Sequence, residues 1–209
     1  VKSEASNDPL QRNLTRFQPD NSLALIKTMR TLLDENELNE GVERLASEID
    51  GHYGNDRPLT VIAVMTGSLV LFADLIRRLS MPQRVGVIQA SSYRGGMKSG
   101  ELTVDANMLI DVKDRDVLLV DDIFDTGKTL DRLTGMLRDM GAKTARTAVL
   151  LHKKRTHDVE MRPDFVAFEI PDEFVVGYGL DYLDMYRNLP YLAILEPAEI
   201  EATAAESQS

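Results

Sequence analysis

The stretch Val117-Leu-Leu-Val-Asp-Asp-Ile-Phe-Asp-Thr-Gly-Lys-Thr-Leu130 constrains the fold of this chain more than any other. Val117 to Val120 read as a strand apolar on both faces, which belongs inside a parallel sheet. The strand runs into two carboxylates, Asp121 and Asp122. A short loop, Asp125 to Thr129, then leads into a helical pattern of Leu130, Leu133, Leu137 and Met140 that stops at Gly141. Loop N–H groups, hydroxyls and a helix N-terminus can hold a monophosphate. Adjacent carboxylates can face ribose hydroxyls or a hydrated Mg²⁺. The combination suits a phosphorylated sugar. A triphosphate loop of the form G-x-x-x-x-G-K-[ST] is excluded. Gly127-Lys128-Thr129 supplies its end, but Asp122 stands where its first glycine must be and would repel the phosphates.

Other segments repeat the alternation of strand and helix. Leu38, Val42, Leu45 and Ile49 predict an amphipathic helix ending near Gly51 or Gly54. Thr60 to Met65 reads as a buried strand. Gly67-Ser68 opens a helix expected to bury Leu69, Phe72, Ile76 and Leu79. Residues 84–89 form a strand, residues 91–100 a Gly-rich polar loop, and residues 101–110 the return strand of an antiparallel pair. Thr144 to Leu151 follows as a strand, with short strands at Phe165–Phe168 and Leu192–Leu195. The fold class is α/β, a mostly parallel doubly wound sheet with ligands at the carboxyl ends of its strands.

The remaining features bound partners and location. A net charge of −10 argues against a nucleic-acid or anionic-membrane surface as the main partner. There are no cysteines and only 3 His, so disulfides, thiolate zinc sites and a histidine metal cage are not expected. The opening residues, Val1 to Pro9, lack the apolar core of a signal peptide, so a cytoplasmic location is expected. Residues 1–20 read as a flexible segment, 21–196 as a single domain, and 197–209 as a disordered acidic tail.

The sequence Val-Asp-Asp-Ile-Phe-Asp-Thr-Gly-Lys-Thr resembles the phosphoribosyl pyrophosphate (PRPP) loop of the type I phosphoribosyltransferases. Asp125, before Thr-Gly, resembles the branch acting on 6-oxopurines. Residues Arg162 to Tyr182 and Tyr186-Arg-Asn-Leu-Pro190 are similar to the C-terminal half of the hypoxanthine-guanine enzymes. The resemblance spans roughly residues 30–196 and implies the type I fold, with a small hood subdomain from about 21–40 and 165–196. It implies Mg²⁺-dependent transfer of phosphoribose to hypoxanthine or guanine, with xanthine open as a third base, in a homodimer or homotetramer. An RNA-binding attenuation regulator on the same fold is the alternative, although its loop carries Tyr where Asp125 stands and its function needs a basic face.

The resemblance also implies roles. Asp121 and Asp122 would meet the ribose diol and Mg²⁺ water. Asp125, Thr126, Gly127, Lys128 and Thr129 would bind the 5-phosphate, with the Lys128 ammonium either on phosphate or in solvent. Asp125 would accept or relay the purine N7 proton, cap the helix, or do both. Ile123, Lys153, Phe174, Val175 and Asp181 would form the purine pocket. In it Lys153, or its neighbour Lys154, donates to O6, and Phe174 either stacks on the ring or packs in the core. Asp181 would also hold a second Mg²⁺. Arg187 would bind pyrophosphate or simply pair with Asp184. Ser92 and Tyr93 match a loop that closes over the reacting centre. Met65-Thr66-Gly67 departs from the family's Leu-Lys-Gly turn, a backbone pyrophosphate site whose peptide bond is often cis. Thr66 and Gly67 would still offer backbone N–H groups there. The cation of the usual Lys is lost, and with it the contacts that Lys makes across a subunit interface.

Overall fold

The computed structural model describes residues 29–91, 103–105, 110–155, 158–196 and 200. In chain order these form β1 (Arg30–Leu33), α1 (Glu35–Tyr53), β2 (Leu59–Met65), α2 (Leu69–Ile76), β3 (Gln83–Ser91), β4 (Thr103–Asp105), β5 (Asp116–Phe124), α3 (Lys128–Asp139), β6 (Thr144–Lys153), β7 (Phe165–Ile170), β8 (Val175–Val176) and β9 (Leu192–Ile194). The main sheet has the order β4-β3-β2-β5-β6-β7. All its neighbours are parallel except β3 and β4, the expected antiparallel pair. A second, antiparallel sheet has the order β1-β9-β8. Strand β7 lies in the main sheet, so from 165–196 only β8 and β9 enter the small one. Among the described residues, no helix is long and apolar enough to cross a membrane.

The central strands are apolar because both faces are covered. Val117 to Val120 and Ala148 to Leu151 are fully buried. On one face, Val61, Ala63, Leu118 and Val120 meet α1 and α2. On the other, Ile62, Val117 and Leu119 meet Leu130, Leu133 and Leu137 of α3. The small sheet joins this core. Val175, Leu192 and Ile194 face the first cluster, while Val176, Ala193 and Leu195 face a third one with Tyr186 and Leu189. That alternation is the two-residue period of a strand.

Helix α1 starts at a capping box. The Asp34 carboxylate accepts from the Glu37 N–H (2.9 Å), and the Glu37 carboxylate accepts from the Asp34 N–H (2.8 Å). It stops at Gly54, the later of the two expected glycines. Helix α2 differs from expectation. It buries Leu71, Phe72 and Leu75, leaves Leu69 exposed, and ends before Leu79, which is nevertheless buried in the core as expected. The buried Ser68 hydroxyl donates to the Val64 carbonyl (2.6 Å), at the entry to the helix. Met140 is likewise exposed, past the end of α3. There Gly141 turns left-handed (φ 84°), and Ala142 N–H donates back to the Leu137 carbonyl (3.0 Å).

Strands β1 and β8 carry too few residues for a periodic signal and escaped the sequence reading. The segment 1–20 lies outside the described residues. Of 197–209 only Ile200 is described, and it packs against the third cluster with its carbonyl accepting from the Tyr182 hydroxyl (3.2 Å).

Candidate active site

The carboxyl ends of β2 and β5 open on a cavity of about 900 Å³. Its walls are Met65 to Gly67, Asp121 to Leu130, and Asp181, Asp184 and Arg187 from the turns before β9. Thr66, Gly67, Asp121, Asp122, Ile123, Asp125, Thr126, Gly127, Lys128, Thr129, Asp181 and Arg187 thus meet at one place. The sequence expected the carboxylates just past the strand. Pairing with β6 instead carries β5 on to Phe124, so Asp121 and Asp122 lie on its last turns of pleat.

Asp121 is buried, and its carboxylate accepts from the Asp122 N–H (3.0 Å). The Asp122 carboxylate accepts from the Ile123 N–H (2.8 Å). Burial pushes both carboxyls above the usual carboxylate range, and the Asp122 charge pushes Asp121 further. Arg187 opposes the shift at Asp122. A buried carboxylate beside a half-buried one favours a cation or a hydroxyl-bearing ligand. Among the described residues there is no group of three or more metal-ligating side chains. A divalent ion here would therefore draw further oxygens from a phosphorylated ligand, which is how Mg²⁺ is commonly held.

The loop after β5 is shaped by Gly127. Its φ of 82° is left-handed, and an added Cβ would lie 2.5 Å from both Phe124 Cζ and Val159 Cγ2. Gly127 is also the cap residue of α3, with no side-chain cap bond. The capping alternative for Asp125 is thereby set aside. The Lys128 ammonium pairs with Asp158 (2.7 Å), so its side chain is engaged there, and its backbone opens the helix. The Met65–Thr66 peptide bond is cis, in line with the family turn. Gly67 lies so close to the Asp122 carboxylate that a side chain there would overlap it.

The segment Gly177 to Arg187 is a run of tight turns. Gly177, Tyr178, Gly179, Leu183, Asp184 and Tyr186 all have positive φ. Such residues are costly unless their surroundings hold them, and they gather at functional sites. Arg187 pairs with Asp181 (2.8 Å) and Asp184 (3.3 Å) and donates to the Gly179 carbonyl (2.8 Å). The pairing with Asp184 therefore coexists with a place on the cavity wall. Tyr178 donates to Asp74 (2.6 Å) and ties the same segment to α2.

Three expected purine residues stand outside the walls of that cavity. Lys153, at the end of β6, has its ammonium 3.9 Å from Asp125 and 3.3 Å from Asp172. Lys154, just past the end of the strand, turns to Glu169 instead (3.3 Å). Of the two lysines it is Lys153 that lies beside Asp125. Phe174 is 41% exposed, edge-on to Tyr182 at 5.4 Å between ring centroids, so it is not a core residue. Val175 is buried in β8 opposite Ile194, leaving its backbone as the group to meet a ligand. Ser92 and Tyr93 lie outside the described residues. Sequence reasoning missed Gln89 and Asp184 on the cavity wall, Asp158, and the Arg155–Asp172 pair beside Asp125. Arg155 had a signal, since it is two residues from Lys153 on the same side. Asp172 had none, because β6 and β7 meet only in the fold.

Comparison with known proteins extends over most of the chain. The phosphoribosyl transferase domain matches residues 29–183. The hypoxanthine-guanine phosphoribosyltransferase of Bacillus subtilis is 38% identical over 83% of this chain and 96% of its own length. That of Aquifex aeolicus is 39% identical over 81% and 96%. The crystal structure of a hypoxanthine phosphoribosyltransferase from Staphylococcus aureus superposes with a TM-score of 0.78 at 32% identity, covering 84% of this chain and 96% of that one.

Proposed function

Because the chain belongs to the phosphoribosyl transferase domain family, we infer that it transfers the 5-phosphoribosyl group of PRPP to hypoxanthine and guanine, releasing pyrophosphate and forming IMP and GMP. The observation that carries this reading is the Asp121–Thr129 loop, which faces the Met65–Gly67 turn and Arg187 across one cavity. The RNA-binding alternative finds no support among these relatives.

In this reading the chain binds and orients, and the anomeric carbon reacts as pyrophosphate leaves it. The N–H groups of Thr126 to Thr129 and the hydroxyls of Thr126 and Thr129 hold the 5-phosphate at the start of α3. Asp121 and Asp122 face the ribose diol. Backbone groups of Thr66 and Gly67 meet the pyrophosphate. Arg187 adds bidentate contacts after giving up an acidic partner. Lacking the usual Lys, the Thr66 turn is expected to bind PRPP more weakly.

The purine lies between Ile123 and Phe174, with Lys153 donating to O6. Val175 and Asp181 read its far edge. A 6-oxo group accepts from an ammonium where an adenine amino group cannot, because two donors do not pair. Asp125 accepts the N7 proton as N9 bonds to C1. Asp121 and Asp122 would hold one Mg²⁺ and Asp181 a second, and the bound metal would neutralise charge on ribose and pyrophosphate oxygens. Ser92 and Tyr93 would exclude water from the reacting centre. The working form is a homodimer or homotetramer in the cytoplasm, to be tested by sedimentation of the purified chain.

The functional test is a base panel. PRPP and Mg²⁺ are mixed with hypoxanthine, guanine, xanthine, adenine or uracil, and nucleotide formation is followed. Turnover of hypoxanthine or guanine, with none of adenine, is the expected outcome. Silence on every base with PRPP still bound would overturn the base assignment.

A further inference from the structure

Four side chains at the purine end form a closed ring of alternating charge. Arg155 Nη1 donates to Asp125 Oδ1 (3.0 Å) and lies 3.6 Å from Asp172 Oδ1. Lys153 Nζ lies 3.3 Å from Asp172 Oδ1 and closes the ring to Asp125 at 3.9 Å. Two members, Asp125 and Lys153, carry the chemistry proposed above; Arg155 and Asp172 each touch one of them and also each other. We propose that Arg155 and Asp172 are positioning residues: Arg155 sets the Asp125 carboxylate and Asp172 sets the Lys153 ammonium, the groups assigned above to N7 and O6 of a 6-oxopurine. The proposal rests on the functional reading given above.

The physical case begins with exposure. The side chains of Asp125, Asp172 and Arg155 are 43%, 46% and 38% exposed. Ion pairs so open to water add little to stability. A ring of them is better explained by orientation than by folding. Lys153 differs, with a side chain only 12% exposed. Its long, flexible stem has a large rotamer entropy to lose, and a carboxylate beside its ammonium selects one conformer in advance of the ligand.

The backbone supplies the placement. Residues 153 and 155 fall on one side at the end of β6, with the Arg155 N–H donating to the Lys153 carbonyl (3.0 Å). The Lys154 N–H donates to the Ile170 carbonyl (2.8 Å), which fastens this turn to the end of β7 two residues before Asp172. The two carboxylates and two cations thus come from three strand ends held in one sheet. A general base oriented by a third group is a recurrent catalytic arrangement. Here a guanidinium takes that orienting place at Asp125.

The test uses steady-state kinetics of the full chain with hypoxanthine and PRPP. Arg155→Met is expected to lower kcat about 10- to 100-fold, within the range for a misplaced acid–base group, with KM for hypoxanthine changed less than about twofold. Asp172→Asn is expected to raise KM for hypoxanthine about 5- to 20-fold with a smaller change in kcat, as for loss of a ground-state contact. Both should leave KM for PRPP within about twofold, and Arg155→Lys should recover part of the lost turnover. A general loosening of the loop would move PRPP and purine constants together, and that outcome overturns the proposal. So does wild-type behaviour in both variants. Failure of the functional reading is separate, because it would appear as an unmodified protein that turns over no 6-oxopurine.

Discussion

Asp125 and its neighbours carry the sharpest expectations at the level of single residues. Asp125→Asn should reduce turnover by roughly 10²- to 10⁴-fold and leave PRPP binding nearly unchanged, as rapid-quench and equilibrium-binding measurements would register. Near-normal turnover would remove Asp125 from the chemistry. Lys153→Ala should weaken base affinity more than PRPP affinity, whereas Lys154→Ala, which loses only an exposed pair with Glu169, should do neither. Asp121 supports a prediction about stability. Its folded-state pKa is raised by burial and by Asp122, so the folded form binds its proton more tightly than the unfolded form. Stability from this group is therefore lost as pH rises above the ordinary carboxylate range. Asp121→Asn keeps an oxygen acceptor for the Asp122 N–H and removes the buried charge. Its melting temperature at neutral pH should exceed wild type by roughly 2–4 °C, about 1 kcal/mol for a chain of this size. The gain should shrink as pH falls toward that range, and a constant difference across pH would show that charge is not its cause. The carboxylates and the phosphate loop were legible because they are contiguous in sequence. Arg155 and Asp172 were not, because their meaning lies in a distance across two strands.

Among the elements, α1 and α2 show how far periodicity reaches. The α1 pattern placed Leu38, Val42, Leu45 and Ile49 correctly, and all are buried. In α2 nearly every position is apolar, so the pattern could not choose a face, and packing in the fold decided it. Caps are likewise local and testable. Asp34→Ala removes the acceptor of the α1 capping box and should cost about 1 kcal/mol. A drop of roughly 2–4 °C in melting temperature with unchanged kcat is expected. A fall in activity would mean that α1 bears on the site as well as on the fold. The turns from Gly177 to Arg187 stood at the opposite extreme. Their left-handed residues include Tyr178, Leu183 and Tyr186, types that rarely adopt that conformation, so no local rule announces them.

For the molecule as a whole, the parallel sheet followed from its apolar strands, whereas the small sheet did not. Its strands are short and come from distant parts of the chain. They nevertheless share the main core through Val175, Leu192 and Ile194. The two sheets should therefore unfold together. Ile194→Ala is expected to cost about 2–5 kcal/mol and to shift a single cooperative transition, followed by hydrogen exchange in both sheets. Early loss of protection confined to β1, β8 and β9 would show the small sheet to be an independent unit. The order β1-β9-β8 also bears on how the chain is made. Strand β9 lies in the middle, so during synthesis β1 and β8 emerge without the partner that joins them. A ribosome-bound chain that has released β2 through β7 can close its parallel sheet and shape the phosphate loop. Until residues 192–194 emerge, however, the turns bearing Asp181 and Arg187 have no strand beyond them to hold their end. Competence for catalysis should then arrive abruptly, only once β9 has emerged.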